Sequence, residues 1–78
     1  MARLRLFAGA REAAGTGSDE FAGATVGEIL DRAGERYGAH FIGLLDTCKV
    51  WCNGEPAERD HAVTDGDEVA VLPPVSGG

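Results

Sequence analysis

The sequence has little cysteine, few basic residues and no long apolar run. Its two cysteines are too few for the disulfide framework of a small secreted domain. The apolar runs are far shorter than the roughly 20 residues that a membrane-spanning helix needs. The alternating start, MARLRLFAG, does not look like a secretory signal. We therefore expect a cytoplasmic protein with no membrane partner.

Basic residues are outnumbered by acidic ones. Seven Lys and Arg against 13 Asp and Glu give a formal net charge of −6, with the acids spread along the chain. Because nucleic acids attract basic patches, we expect no nucleic-acid partner. The negative charge fits a basic protein partner, or it serves solubility alone. A length of 78 residues with 44% hydrophobic and 26% charged content predicts one small globular domain.

No constellation of catalytic residues stands out. The sequence contains no Ser-His-Asp grouping with a local signature, no Walker loop and no H-E-x-x-H. We interpret Asp65, Asp67 and Glu68 as a turn followed by a strand start. His40 and His61 are interpreted as surface residues. We therefore expect a chain that is not catalytic alone and that binds no cofactor.

The two cysteines, Cys48 and Cys52, stand in the segment CKVWC. In a strand their Cα atoms would lie about 13 Å apart at ~3.3 Å per residue, whereas a disulfide needs about 7 Å or less. We interpret both as small buried hydrophobic residues. A metal site with His40 or His61 would need a second pair of ligands, so no metal is predicted.

The first third of the chain predicts a strand, a loop and a short returning strand. Residues 3–8, RLRLFA, alternate, which is typical of a half-buried strand. The two sets of side chains on opposite faces are Leu4, Leu6 and Ala8, and Arg3, Arg5 and Phe7. Residues 9–18, GAREAAGTGS, are predicted to form a loop, in which Arg11 and Glu12 are either solvated or in contact with a partner. Residues 19–22 could be the returning strand, anchored by Phe21.

The segment Thr25 to Tyr37 predicts the main helix. Thr25 and Glu28 form a T-x-x-E capping box at its start, and Gly38 is placed to end it. Apolar residues recur at helical spacing on one face. They are Val26, Ile29, Leu30, Ala33 and Tyr37.

The rest of the chain predicts short strands. Residues 41–45, FIGLL, are interpreted as a buried connector, and CKVWC as a strand that turns at Asn53-Gly54. Its partner over 55–58 must be an edge strand because Pro56 cannot donate a ladder hydrogen bond. In the last strand, 68–72, Val69 and Val71 face in while Ala70 and Leu72 face out.

These elements predict a two-layer α+β domain, with one main helix across a mixed sheet and the first and last strands central and parallel. We assign residues 1–72 to the domain and 73–78 to an extended tail. If the central strands are neighbours, Phe7, Ala70 and Leu72 form an exposed apolar patch at the root of the tail, typical of a protein interface. The alternative is that Phe7 is covered by its own loop.

The tail PPVSGG is the one segment with credible chemistry. Pro73 and Pro74 favour a stiff, extended backbone. Val75, Ser76 and Gly77 are slim enough to thread a narrow channel, and glycine lets a backbone approach a ligand closely. The α-carboxylate of Gly78 is then the reactive group. The alternative is a frayed terminus without function.

The tail and its lead-in, DGDEVAVLPPVSGG (65–78), resemble the small subunit of molybdopterin synthase, a MoaD-type sulfur carrier of the MoaD/ThiS superfamily. LFAGAREAAG (6–15) resembles the strand and F-A-x-x-R-E-x-x-G motif of that family. TVGEIL (25–30) and VWCNG (50–54) resemble its helix start and its central hairpin. The resemblance implies a ubiquitin-like β-grasp fold with a flexible Gly-Gly tail.

The resemblance also implies a mechanism. An ATP-dependent adenylyltransferase of the ubiquitin-activating type would adenylate Gly78, and a sulfur donor enzyme would convert the adenylate to a thiocarboxylate. The tail would then enter the large subunit of molybdopterin synthase, in a heterotetramer, and give its sulfur to the pterin precursor. Phe7 and Leu72 would contact both partners, with Ala70 and Arg11 beside them.

Two other functions are compatible with the sequence. The chain could carry sulfur for thiazole (thiamine) or cysteine synthesis. It could also be a protein modifier that is conjugated to lysines through Gly78. A modifier that builds chains needs acceptor lysines, and Lys49 is the one lysine in this sequence. An interaction domain without tail chemistry is the remaining alternative.

Overall fold

The computed structural model of the protein describes residues 1–74. This part of the chain forms five strands and three helices. In chain order they are β1 (Ala2–Leu6), α1 (Ala8–Ala14), β2 (Ser18–Phe21), α2 (Val26–Tyr37), α3 (Ala39–Leu45), β3 (Lys49–Cys52), β4 (Glu55–Pro56) and β5 (Glu68–Leu72).

The strands form one mixed sheet in the order β2-β1-β5-β3-β4. β1 and β5 are parallel neighbours, with Leu6 opposite Val71, while the other pairs are antiparallel. The prediction that the first and last strands are central and parallel is therefore confirmed. β4 lies at an edge of the sheet, and an edge strand can accommodate Pro56 although proline has no N–H to donate to a neighbouring strand.

Alternation along the two central strands builds the core. Leu4, Leu6, Val69 and Val71 are buried on the side of the sheet that the helices cover. Each such side chain stabilises the fold by roughly 1.5–3 kcal/mol through its burial. The apolar face of α2 completes this core with the buried residues Val26, Ile29, Leu30 and Ala33. The two-layer α+β architecture is confirmed.

The main helix begins and ends as its sequence predicts. The Thr25 hydroxyl accepts a hydrogen bond from the Glu28 N–H at 3.2 Å, as an N-cap does. The Glu28 carboxylate accepts from the Ala24 N–H at 3.4 Å, so the returning bond of the capping box reaches one residue further back than in the usual pattern. Gly38 ends α2 with a left-handed φ of 99°.

Three predictions about the remaining segments were wrong or incomplete. Residues 9–18 do not form a loop throughout, because α1 occupies Ala8–Ala14 and buries Ala10 in the core. Residues 41–45 belong to α3, so the main helix is one of three. Ala8 does not face the core with Leu6, because the chain leaves the strand there with a φ of 49°.

Candidate functional site

The predicted reactive segment, Val75, Ser76, Gly77 and Gly78, lies outside the residues that the structure describes. The division into a domain over 1–72 and a tail over 73–78 stays a prediction for the same reason. The structure does describe the root of this segment. β5 ends at Leu72 in the middle of the sheet, and Pro73 and Pro74 follow.

The side of the sheet away from the helices, called the outer face below, carries the predicted docking residues. Ala70 and Leu72 point there from β5, since Val69 and Val71 fill the core. Phe7 continues β1 beside them, and its N–H donates to the Val71 carbonyl at 3.3 Å. Phe7 is 40% exposed and Leu72 is 36% exposed within residues 1–74. The structure thus places Phe7, Ala70 and Leu72 together at the root of the tail.

The backbone around Phe7 is held on both sides. The Phe7 carbonyl accepts the Ala10 N–H at 3.1 Å as α1 begins, and the left-handed turn at Ala8 directs the chain into that helix. The Arg5 guanidinium lies 5.7 Å from the Phe7 ring centroid, within the range of a cation–π contact. It also pairs with the Glu68 carboxylate at 3.5 Å. Phe7 is therefore fixed in place while much of its ring remains exposed.

Arg11 reaches the same region from α1. A Cβ built on Gly17 would lie 3.3 Å from the Arg11 Nε, so the arginine side chain rests on this glycine. Arg11, Arg5, Arg3 and Phe7 line a shallow pocket of about 400 Å³. Arg11 was predicted as a site residue, but Arg3 and Arg5 were not, although their alternation with leucines places both on the outer face.

β3 adds two residues that the sequence analysis did not assign to the site. Lys49 lies opposite Leu72 in the ladder, and Trp51 lies opposite Ala70. The outer face thus combines an apolar centre with basic residues around it, and β2 and β5 add acidic residues beside Arg3. The alternation of CKVWC could have predicted Lys49 and Trp51 as site residues, because it places both on the face of the sheet away from the buried Cys52.

The cysteines offer no competing nucleophile. Cys52 is buried and Cys48 is half-buried, and both are free thiols. Burial raises the pKa of the Cys52 thiol, with a further contribution from the Asp67 carboxylate. Burial likewise raises the pKa of Cys48, whose Sγ donates to the Leu44 carbonyl at 3.2 Å. Both therefore stay protonated at neutral pH and are unreactive as thiolates.

The carboxylates of the 64–68 turn have a structural role. The Asp67 carboxylate accepts the Thr64 N–H at 2.9 Å and the Asn53 side-chain amide at 3.1 Å. These hydrogen bonds, the one from the Thr64 backbone first, lower the pKa of Asp67. The Asn53 amide oxygen accepts the Glu68 N–H at 2.9 Å, which ties the β3–β4 turn to β5. Within residues 1–74, no group of three or more His, Cys, Asp and Glu residues could hold a metal ion.

Comparison with known families settles the class of protein. Residues 4–78 match the model of the ThiS family. The chain belongs to the ThiS family. It is thus a member of a family of ubiquitin-like sulfur carriers, and both the recognised superfamily and the β-grasp fold are confirmed.

Relatives of this ThiS-family chain carry different names. It is 40% identical to small archaeal modifier protein 1 of Haloferax volcanii, over 95% of this chain and 97% of that protein. It is 35% identical to the molybdopterin synthase sulfur carrier subunit of Chlamydomonas reinhardtii, over 97% and 96%. A chain in the crystal structure of the Amycolatopsis orientalis BexX/CysO complex superposes with a TM-score of 0.84, at 28% identity and 100% coverage of both chains.

No helix within residues 1–74 of this ThiS-family chain has the length and apolar character needed to cross a membrane. α2, the longest, has 12 residues.

Proposed function

We propose that this ThiS-family chain is the small subunit of a molybdopterin synthase and that the Gly78 carboxylate carries its sulfur. The observation that carries the proposal is the family match, which runs through residue 78. The relative named as a molybdopterin synthase sulfur carrier subunit supports the pathway. The central position of β5 supports the use of the tail, because that strand leads the chain out beside Phe7 and Leu72.

The proposed chemistry starts from an unreactive carboxylate. The Gly78 carboxylate reacts with ATP to form an acyl-adenylate, and pyrophosphate is released. The AMP of this acyl-adenylate is a good leaving group. A persulfide sulfur attacks the acyl carbon and AMP leaves. A thiol then cleaves the resulting S–S bond and releases the thiocarboxylate, a sulfur nucleophile for the pterin precursor. The catalytic side chains belong to the partners, and this chain supplies the carrier.

The outer face is the proposed docking surface for both partners. An adenylyltransferase or a large synthase subunit that covers Phe7, Ala70 and Leu72 would hold the root of the tail. Six residues beyond Leu72 would then reach about 20 Å into the partner at ~3.3 Å per residue. Docking at the root converts an encounter with the tail into an intramolecular step.

Conjugation to other proteins is the second candidate. The 40% identical relative named small archaeal modifier protein 1 favours it. Both functions share the acyl-adenylate, and they diverge when either a persulfide sulfur or a lysine amine attacks it. A carrier role in another sulfur pathway, such as thiazole or cysteine synthesis, would also share these steps.

Reconstitution with the adenylyltransferase of the same organism tests the proposal. The full chain should support ATP–pyrophosphate exchange, and a chain without Gly77 and Gly78 should support none. The deletion should leave the thermal midpoint unchanged, because neither glycine has a side chain to pack. Adding the large subunit and pterin precursor should then yield the dithiolene product. Exchange without product, together with lysine-linked adducts in cells, would favour the modifier role instead.

A further inference from the structure

Three of the seven Lys and Arg residues line one pocket beside Phe7 on the outer face. Arg3 and Arg5 reach it from β1, and Arg11 reaches it from α1, where it rests on Gly17. The pocket of about 400 Å³ also borders Phe7. A chain with a net charge of −6 therefore collects a substantial share of its positive charge beside the surface that it offers to partners.

Two of the three arginines outside the pocket form ion pairs, and the third, Arg32, forms none within residues 1–74. Arg36 pairs with Asp19 at 2.9 Å, and Arg59 pairs with Asp31 at 2.6 Å. In the pocket, Arg5 pairs with Glu68 at 3.5 Å. Across residues 1–74, neither Arg3 nor Arg11 has a carboxylate within 4.0 Å. Positive charge in the pocket is thus only partly neutralised.

Acidic residues do stand near the pocket. Glu20 of β2 and Glu68 of β5 both lie opposite Arg3 in the ladders, and Glu12 follows Arg11 in α1. None of them forms an ion pair with Arg3 or Arg11 within the described part of the chain. The two guanidinium groups keep their donors available to a group from outside.

We propose that the Arg3–Arg5–Arg11 pocket receives carboxylate side chains of the protein that docks on the outer face. The inference rests on the proposed function, since the partner meant is the adenylyltransferase that acts on the tail. Guanidinium groups match carboxylates with two parallel hydrogen bonds. The partner surface that fits is an apolar centre flanked by acidic residues. The net charge alone predicted the opposite, a basic partner.

The shape of the pocket favours a carboxylate on a protein over a free anion. The pocket is open, and single ion pairs between exposed groups contribute little to binding. A carboxylate on a protein that already covers Phe7 does not need a strong ion pair, because the other contacts of the interface hold that protein in place. Charges at the rim of an interface act mainly on the association rate and its dependence on salt.

Charge reversal with a matched control tests the inference. Arg11→Glu changes the pocket, and Arg32→Glu makes the same change in net charge on an exposed position of α2. At about 20 mM salt, Arg11→Glu should lower the association rate with the adenylyltransferase about ten-fold. Arg32→Glu should lower it less than about two-fold. The difference should largely vanish at about 0.5 M salt, where charges are screened.

Further arms of the experiment separate the outcomes. Arg3→Glu should repeat the effect of Arg11→Glu, and matching thermal midpoints should show that the fold is kept. Equal rate losses for Arg11→Glu and Arg32→Glu, or no loss for either, would overturn the pocket assignment. Tight binding of inorganic phosphate in the pocket, seen by NMR, would assign it to a free anion and overturn it too. Absence of ATP–pyrophosphate exchange with the unmodified chain would instead overturn the proposed function.

Discussion

Lys49 of β3 lies directly opposite Leu72 of β5, on the outer face of the sheet and at the root of the tail. It is the one lysine of the chain. A second copy conjugated to Lys49 would therefore cover the surface that we assign to the partners. The structure thus argues against Lys49-linked polymers whose subunits can still bind the adenylyltransferase. Conjugation of single copies to other proteins is not affected by this argument.

A bulky acyl group on Lys49 should block activation of the tail. Replacing Lys49 by an acylated lysine analogue during translation should lower ATP–pyrophosphate exchange by about ten-fold or more, because the adduct lies in the docking surface. The same analogue at position 32 of α2 should change exchange less than two-fold. Normal exchange with the adduct at position 49 would show that partners dock elsewhere.

Phe7 should contribute much more to partner binding than a more exposed hydrophobic residue elsewhere. Ile42 of α3 is 52% exposed on the helical side and provides the control. Phe7→Ser should weaken binding to the large synthase subunit by about 2 kcal/mol, which is roughly 30-fold in Kd. Ile42→Ser should change Kd less than about two-fold. Isothermal titration of both variants checks this, and equal losses would contradict the docking surface.

Gly34 of α2 is required by the close approach of α3. A Cβ built on it would lie 2.8 Å from Ile42 Cγ1, and that atom is bonded to a stiff, branched Cβ. Gly34→Ala should therefore destabilise the fold by about 1 kcal/mol through overpacking, despite the better helix propensity of alanine.

Gly43 of α3 provides the control for that experiment, since a Cβ there meets nothing within 4 Å. Gly43→Ala should raise the free energy of unfolding by about 0.5 kcal/mol. In an Ile42→Ala background, Gly34→Ala should become stabilising. Urea unfolding of the four variants measures this, and stabilisation by Gly34→Ala in the otherwise unchanged chain would refute the packing argument.

Acid should weaken the link between β2 and α2. The Tyr37 hydroxyl donates to the Asp19 carboxylate at 2.7 Å, and Arg36 donates to the same oxygen at 2.9 Å. The bond from Tyr37, with help from Arg36, holds the pKa of Asp19 below its ordinary 3.8 although burial acts against it. Because this pKa is lowered on folding, its stabilisation is present above about pH 4 and is lost as pH falls through the folded-state value.

Tyr37→Phe isolates this link, since the ring can keep its edge contacts with Phe21 and Phe41. The variant should lose about 1 kcal/mol of unfolding free energy at pH 7. The deficit should shrink at an acid pH below the folded-state pKa of Asp19, where the carboxylate is protonated. Urea unfolding at the two pH values checks this, and an equal deficit at both would show that the carboxylate charge has no part in it.

The elements that could be predicted are those whose sequence pattern agrees with their final environment. β5 alternates cleanly between buried valines and the outer face, and Pro73 ends it. α2 has a cap at Thr25 and a stop at Gly38. The left-handed Asn53 and Gly54 made the β3–β4 hairpin predictable in the same way.

The elements that were missed depend on contacts distant in sequence. α1 reads as a loop because AGAREAA has small residues and no cap, and its helix buries only Ala10. α3 lacks a side-chain cap as well and packs on α2 where Gly34 leaves room. The arginine pocket could not be predicted, since Arg11 joins Arg3 and Arg5 only when α1 folds back over Gly17.

The central claim is that Gly78 carries sulfur, and intact-mass spectrometry tests it most directly. The protein purified from cells, or treated with its adenylyltransferase, ATP and a sulfur donor, should contain a species about 16 Da heavier, from the exchange of one oxygen for sulfur. Fragmentation should place this mass on Gly78. If no such species forms with all three components present and the adenylate detected, the sulfur-carrier account is contradicted.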